Sequence, residues 1–156
     1  MECAMTVLLL RHAEAGDRWL WSGNDRDRPL DDRGLKQATA LAAQFAEFSI
    51  TRVLSSPFRR CIQTVEPLAA SLSIHTEADP QLAEGSGSQF VHDMLANSGD
   101  TTIVLCTHGD IIAAVLSDLE RHGCDVGPAA RMQKASTWHL DSSGPSITAR
   151  YLPPPC

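Results

Sequence analysis

The stretch Thr102-Ile103-Val104-Leu105-Cys106-Thr107-His108-Gly109-Asp110 decides how the rest of the chain is read. It opens on an unbroken apolar run, where a strand with one wet face would alternate apolar and polar residues. Such a run suits a strand covered on both faces, as in a parallel sheet flanked by helices. The run stops at a polar Thr-His-Gly turn, and the spacing beyond it predicts a helix over Asp110–Arg121. A buried strand that feeds a helix through a polar turn is half of a strand–helix–strand unit.

Working outward, Thr6–Leu10 is a second continuous apolar run, and Arg52–Ser55 reads as a further strand. Arg11 to Leu30 is polar and irregular, with Gly16, Gly23 and Pro29, and reads as a long functional loop. Asp31 is placed to cap a helix whose apolar stripe is Leu35, Ala38, Leu41, Ala42, Phe45 and Phe48. Ser56-Pro57 predicts another helix start, a cap residue followed by proline at the first helical position. That helix's buried face would carry Ile62, Val65, Leu68, Ala69 and Leu72. Ser73–Thr76 reads as a short strand, Glu84–Ser88 as a loop, and Gln89–Ala96 as a brief helix. Ala135–Leu140 and Ser146–Tyr151, split by a turn over Asp141–Pro145, predict a C-terminal hairpin. The proline-rich end, residues 152–156, is expected to fray. The order implies an α/β fold: a three-layer sandwich, mainly parallel central sheet, helices on both faces, in one domain over residues 1–156.

Composition limits the function classes. The 156 residues are 43% hydrophobic and 21% charged, ordinary for a globular protein. A net charge of -6 argues against general attraction to nucleic acid or an anionic membrane. No apolar run approaches the roughly 20 residues that span a bilayer, and Met1–Leu10 lacks a basic leader, so the cytoplasm is the expected location. Cys3, Cys61, Cys106, Cys124 and Cys156 are odd in number and widely spaced, a poor disulfide or zinc framework, so reduced structural thiols are expected.

The residues that carry chemistry sit where strands end. Arg11-His12 closes the first strand, Ser55 to Arg60 closes the second and opens a helix, and Thr107-His108-Gly109 closes the late strand. In an open parallel sheet these carboxyl ends share one edge, where ligands bind. Arg59 and Arg60 fall in the first turn of a helix, the unfavourable dipole end for a cation, and a bound phosphate relieves that conflict. A neutral imidazole attacks phosphorus in line while surrounding cations stabilise the equatorial oxygens. His12 is therefore the candidate nucleophile, with Arg11, Arg60 and His108 as phosphate ligands. His75, His92, His122 and His139 read as surface or packing residues.

These residues resemble the histidine phosphatase superfamily, also called phosphoglycerate-mutase-like. Its Arg-His-Gly signature appears as Arg11-His12-Ala13. Its Ser-Ser-Pro-x-x-Arg-Ala-x-x-Thr appears from Ser55 to Thr64, with Cys61 where alanine is usual, and selects Arg60 over Arg59. The late His-Gly is His108-Gly109, and Pro29-Leu30, Gly34 and Gln37-Ala38 resemble the first helix. Alanine at 13 is tolerable if its φ is negative. The resemblance implies a proton donor in a Leu-x-Glu segment, which selects Glu84 of Leu82-Ala83-Glu84, and a minimal cap. The chain is similar to the compact SixA-type phosphohistidine phosphatases. It is also similar to the phosphatase domain of Nudix-fused hydrolases, through residues 11–16 and 21–30. No cofactor or metal is implied.

The expected activity is hydrolysis of phosphate esters, anhydrides or phosphohistidine through a phosphohistidine on His12. Two alternatives stay open, a phosphoglycerate-type mutase and a catalytically silent phospho-ligand-binding module. Cys124 and Arg131 are one residue too far apart for Cys-x5-Arg, Asp25-Arg26-Asp27 follows a loop rather than a buried strand, and His12-Ala13-Glu14 lacks the zinc deaminase cysteines. The expected partner is a phosphorylated small molecule, nucleotides included, or a phosphohistidine protein. Arg18, Trp19, Trp21, Arg26 and Arg28 form the candidate substrate rim, the tryptophans stacking a base or else packing the loop.

Overall fold

Val7 to Leu10 and Ile103 to Cys106 are all but inaccessible, the consequence of two apolar runs lying side by side at the centre of a sheet. The computed structural model describes residues 5–97, 99–127 and 131–155. The strands are β1 (Met5–Arg11), β2 (Ile50–Ser55), β3 (Thr76–Ala78), β4 (Thr101–Thr107), β5 (Thr137–Asp141) and β6 (Thr148–Leu152). The helices are α1 (Asp32–Gln44), α2 (Arg59–Leu72), α3 (Gln89–Ala96) and α4 (Gly109–Arg121). The sheet order is β3-β2-β4-β1-β5-β6, with β3, β2, β4 and β1 parallel and the β5–β6 hairpin antiparallel.

Strand alternation divides the core in two. Val7, Leu9, Ile103 and Leu105 pack toward Val91, Leu95 and the Ile111–Leu119 face, while Leu8, Leu10, Val104 and Cys106 pack toward Leu41, Phe45, Val65 and Leu68. Helices therefore cover both faces, α1 and α2 on one and α3 and α4 on the other. No described helix is long and apolar enough to cross a membrane.

Several boundaries differ from the expectation. Asp31 caps α1 through Gly34 N, as expected, but Leu35 is exposed and the buried stripe is Gly34, Gln37, Ala38 and Leu41. The stripe is displaced because α1 packs on the polar loop after His12 as well as on α2. α2 begins at Arg59 rather than Pro57, because Phe58 is extended (φ -62°, ψ 138°) and serves as its cap position, and its buried face adds Arg60, Cys61 and Thr64 while Ile62 is half-buried. The short strand is Thr76–Ala78 rather than Ser73–Thr76, since Ser73 adopts φ 55° and terminates α2. At the start of the segment expected to fray, Leu152 pairs with Thr137 and Gln44 Nε2 donates to the Pro153 carbonyl at 3.5 Å. Prolines lack an N–H but still accept. Cys3 and Cys156 lie outside the described residues; Cys61, Cys106 and Cys124 are free thiols.

Candidate active site

Parallel register brings the three strand ends together. Arg11 lies opposite Thr107 and Ser55 opposite Cys106. The contact continues past the strands, with His12 N donating to Thr107 O at 3.1 Å and Ser56 N to Cys106 O at 2.9 Å. His12 and His108 consequently face each other with ring centroids 5.5 Å apart.

His12 is oriented by its own neighbour. Its Nδ1 lies 2.8 Å from the Ala13 carbonyl, which can only accept, so the ring proton sits on Nδ1 and the lone pair on Nε2. Burial holds its pKa well below 6.5; the Ala13 carbonyl opposes that shift, and Arg60, His108 and Arg11 reinforce it. A neutral, oriented imidazole is the form that attacks phosphorus. Ala13 is buried and is not among the described residues with positive φ, so alanine replaces glycine there without strain.

Ser56 serves His108. Its Oγ accepts from Phe58 N at 3.2 Å and lies 2.8 Å from His108 Nε2. With the hydroxyl proton donated to Nε2, the ring proton sits on Nδ1. Cys61 Sγ is 3.6 Å from the same Nε2.

Two arginines complete the ring. Arg60 is fully buried, its Nη1 donating to Asp25 O at 2.8 Å and its Nη2 to Asp25 Oδ2 at 3.0 Å. Arg11 Nη1 donates to Met132 O at 2.7 Å, and burial is the main influence lowering its pKa. Gly109 leaves room for that guanidinium: a Cβ would stand 3.0 Å from its carbon, so Arg11 would have to shift. Arg11 Nε, Arg60 Nε and His108 Nδ1 are buried and have no partner among the described residues. Buried polar groups are seldom left unpaired, and three cation or imidazole donors around one nucleophile suit a phosphoryl group. Arg59, by contrast, is exposed.

Residues of the resemblance that carry no charge hold the loop after His12. Thr64 Oγ1 donates to Arg60 O at 2.6 Å and accepts from Ala13 N at 2.9 Å, while Gln37 Oε1 accepts from Glu14 N at 2.9 Å. A Cβ on Gly34 would lie 1.9 Å from the Glu14 carbonyl oxygen, so α1 can approach the loop only through glycine.

Glu84 reaches the site because Thr107 Oγ1 holds the Leu82 carbonyl at 2.6 Å. Its carboxylate accepts from Arg18 Nη2 at 2.9 Å and lies 3.8 Å from Arg60 Nη2. The rim residues separate. Arg18 and Glu84 pair beside Arg60, and Arg26 stands 5.8 Å over the Phe58 ring. Trp19 is 88% exposed, whereas Trp21 folds onto its own loop through Nε1 to Asn24 O at 2.9 Å. Arg28 is not on the rim: it is buried, donating to Ala15 O, Gly16 O and Asp25 Oδ1, because three loop acceptors converge on it. Asp25, weighed in the sequence only as part of Asp25-Arg26-Asp27 and of the 21–30 resemblance, binds Arg60 and Arg28.

Comparison with known proteins agrees with this geometry. The sequence profile described as histidine phosphatase superfamily (branch 1) matches residues 7–90. The chain is 35% identical over 158 residues to an 8-oxo-(d)GTP phosphatase of Mycolicibacterium smegmatis, covering 96% of this chain and 48% of that one, so it spans about half of that relative. It is 28% identical over 123 residues to the phosphohistidine phosphatase SixA of Escherichia coli, covering 74% of each. Its fold superposes on the protein histidine phosphatase SixA complexed with tungstate at a TM-score of 0.70, with 21% identity and 97% and 96% coverage. With its paired histidines, its two arginines and this profile match, the chain belongs to the histidine phosphatase superfamily, branch 1.

Proposed function

We propose that the protein is a phosphatase that transfers the phosphoryl group of its substrate to His12 Nε2 and then to water. The observation that carries this reading is the fixed Nδ1 contact of His12 beside three buried donors, Arg11 Nε, Arg60 Nε and His108 Nδ1. Nε2 forms the bond to phosphorus as the bond to the leaving oxygen breaks, and the donors take the charge on the equatorial oxygens. Glu84 is the group positioned to protonate the departing oxygen. Water then attacks the phosphohistidine, inorganic phosphate departs, and His12 returns to its starting form.

Among substrates, we favour a small phosphorylated molecule bearing a second anionic group, a nucleotide anhydride being the fitting class. A recess of about 590 Å³ shares Arg11 with the site and is lined also by Arg33 and by Lys134, which pairs with Glu14 at 3.6 Å. The name of the M. smegmatis relative, an 8-oxo-(d)GTP phosphatase, supports the nucleotide class. Steady-state turnover of p-nitrophenyl phosphate, a nucleoside diphosphate, a sugar phosphate and a phosphohistidine protein tests the reading. We expect turnover of the first two that disappears in His12→Ala; an active His12→Ala protein would overturn it.

A further inference from the structure

Both terminal nitrogens of Arg60 end on one residue, Asp25, through its backbone carbonyl and through Oδ2. The other carboxylate oxygen, Oδ1, accepts from Arg28 Nε at 3.0 Å and stands 3.5 Å from Arg18 Nε. Arg28 is itself locked to the carbonyls of Ala15 and Gly16, three and four residues beyond His12. Arg18 in turn donates to Glu84. Asp25 is thus the joint between the loop that follows His12, the buried arginine of α2 and the carboxylate of Glu84.

We infer that Asp25 is a positioning residue for phosphoryl binding, which turns the Nε edge of Arg60 toward the group on His12 by gripping both of its terminal nitrogens. A free arginine side chain offers five donors in a plane, and which edge meets the anion depends on what holds the others. With Nη1 and Nη2 each bonded to Asp25, Nε is the Arg60 nitrogen left without a partner among the described residues. The Phe58 ring, 5.0 Å from the guanidinium carbon, stacks on its face and limits rotation out of that plane. Burial would push the Asp25 carboxyl up, but the bond from Arg28 and the charges of Arg60, Arg18 and Arg28 more than offset it, so Asp25 is lowered and stays ionised. The inference rests on the phosphatase reading and assigns within it a residue that never touches substrate.

The sign of the effect separates positioning from simple charge. Asp25 is an anion beside an anion site, so if it acted only by its charge, Asp25→Asn would bind a phosphate analogue more tightly. If it aims Arg60, the same variant binds more weakly, because small misplacements of a clamp cost about 100-fold. The experiment titrates orthovanadate into the full chain by calorimetry and measures kcat and KM on p-nitrophenyl phosphate in the same samples. For Asp25→Asn we expect vanadate affinity and kcat to fall about 10- to 100-fold, with no further loss when it is added to Arg60→Ala. Asp25→Glu keeps the charge that buried Arg60 needs for folding but displaces the carboxylate; it should hold the unfolding midpoint near that of the wild type and still lose vanadate affinity. Unchanged or tighter vanadate binding in either variant, or additive losses with Arg60→Ala, would overturn the inference while leaving the phosphatase reading intact. A wild-type chain that binds no vanadate and turns over nothing would overturn both.

Discussion

Ser56 Oγ lies 2.8 Å from Nε2 of His108, so the serine at the end of β2 is bonded to the histidine at the end of β4. The pair joins neighbouring parallel strands across their carboxyl edge, and it fixes which ring nitrogen of His108 is free to meet an anion. Ser56→Ala leaves a buried imidazole nitrogen with only the weak Cys61 thiol beside it. Leaving such a group unpaired costs about 1–3 kcal/mol. We expect kcat on p-nitrophenyl phosphate to fall roughly 10- to 100-fold by the same argument, with vanadate affinity falling alongside it. Full activity in Ser56→Ala would show that His108 is oriented by other contacts.

The lowered pKa of His12 has two pH signatures. In the native state the ring stays neutral below 6.5, whereas in the unfolded chain it gains a proton near that value. The unfolded state then binds more protons, so His12 makes stability fall as pH drops below 6.5 toward its native pKa, and adds no pH dependence above it. Thermal unfolding of wild type and His12→Asn across pH 5 to 8 should show a shallower acid slope in the variant, with the curves running parallel above about pH 7. The acid limb of kcat/KM assigned to His12 should likewise lie below 6.5.

Two glycines near the site should fail in different ways. At Gly34 an added Cβ meets the Glu14 backbone oxygen at 1.9 Å, while at Gly109 it meets the Arg11 guanidinium at 3.0 Å. Backbone cannot yield without moving α1, so Gly34→Ala should cost about 2–4 kcal/mol of stability. A long side chain can yield, so Gly109→Ala should keep its unfolding midpoint within a few degrees and instead raise KM for phosphate substrates. Chemical denaturation and steady-state kinetics on the two variants check this; equal stability losses would contradict it.

Glu84→Gln should distinguish leaving groups. An alkoxide needs a proton as it departs, whereas p-nitrophenolate leaves without one. The expected outcome is a loss of about 100-fold or more on alkyl phosphates and a much smaller loss on p-nitrophenyl phosphate. The ratio of the two kcat/KM values is the measurement, and an unchanged ratio would remove Glu84 from the proton-donor role.

The recess beside Arg11 makes a selective prediction. Arg33→Ala combined with Lys134→Ala removes two of its cations, the second of them the partner of Glu14 at 3.6 Å, and leaves Arg11, His12, Arg60 and His108 in place. KM for a nucleoside diphosphate should rise about 5- to 50-fold, as expected for losing charge-assisted hydrogen bonds, while KM for p-nitrophenyl phosphate stays within twofold of the wild type.

The class of fold was legible from local order alone. Thr102–Cys106 and Thr6–Leu10 announced buried parallel strands because unbroken apolar runs have no other place in an α/β sheet, and both lie inside β4 and β1. Arg11, His12 and His108 drew attention because each sits at or just beyond a strand end, and parallel strands bring their ends to one edge; Arg60, in the first turn of α2, was preferred to Arg59 through the resemblance, and it is Arg60 that the fold buries. Gly34 and Gln37 were visible as part of a resemblance, but their task, admitting α1 to the Glu14 backbone, needed coordinates.

What tertiary structure alone decided was the destination of side chains that local rules send elsewhere. Ser56 has the neighbours of a helix cap and its hydroxyl does take the Phe58 N–H, yet the same hydroxyl meets a histidine 52 positions away. Arg28 looks like a rim cation until three loop acceptors bury it. Asp25 looks like a solvated loop acid, and its value lies in an arginine 35 residues further on. Periodicity and capping report what a residue does for its own element, whereas a buried charge is placed by whichever distant partner can compensate it. That partner is set by how the Arg11–Leu30 loop packs against α2 and the strand ends.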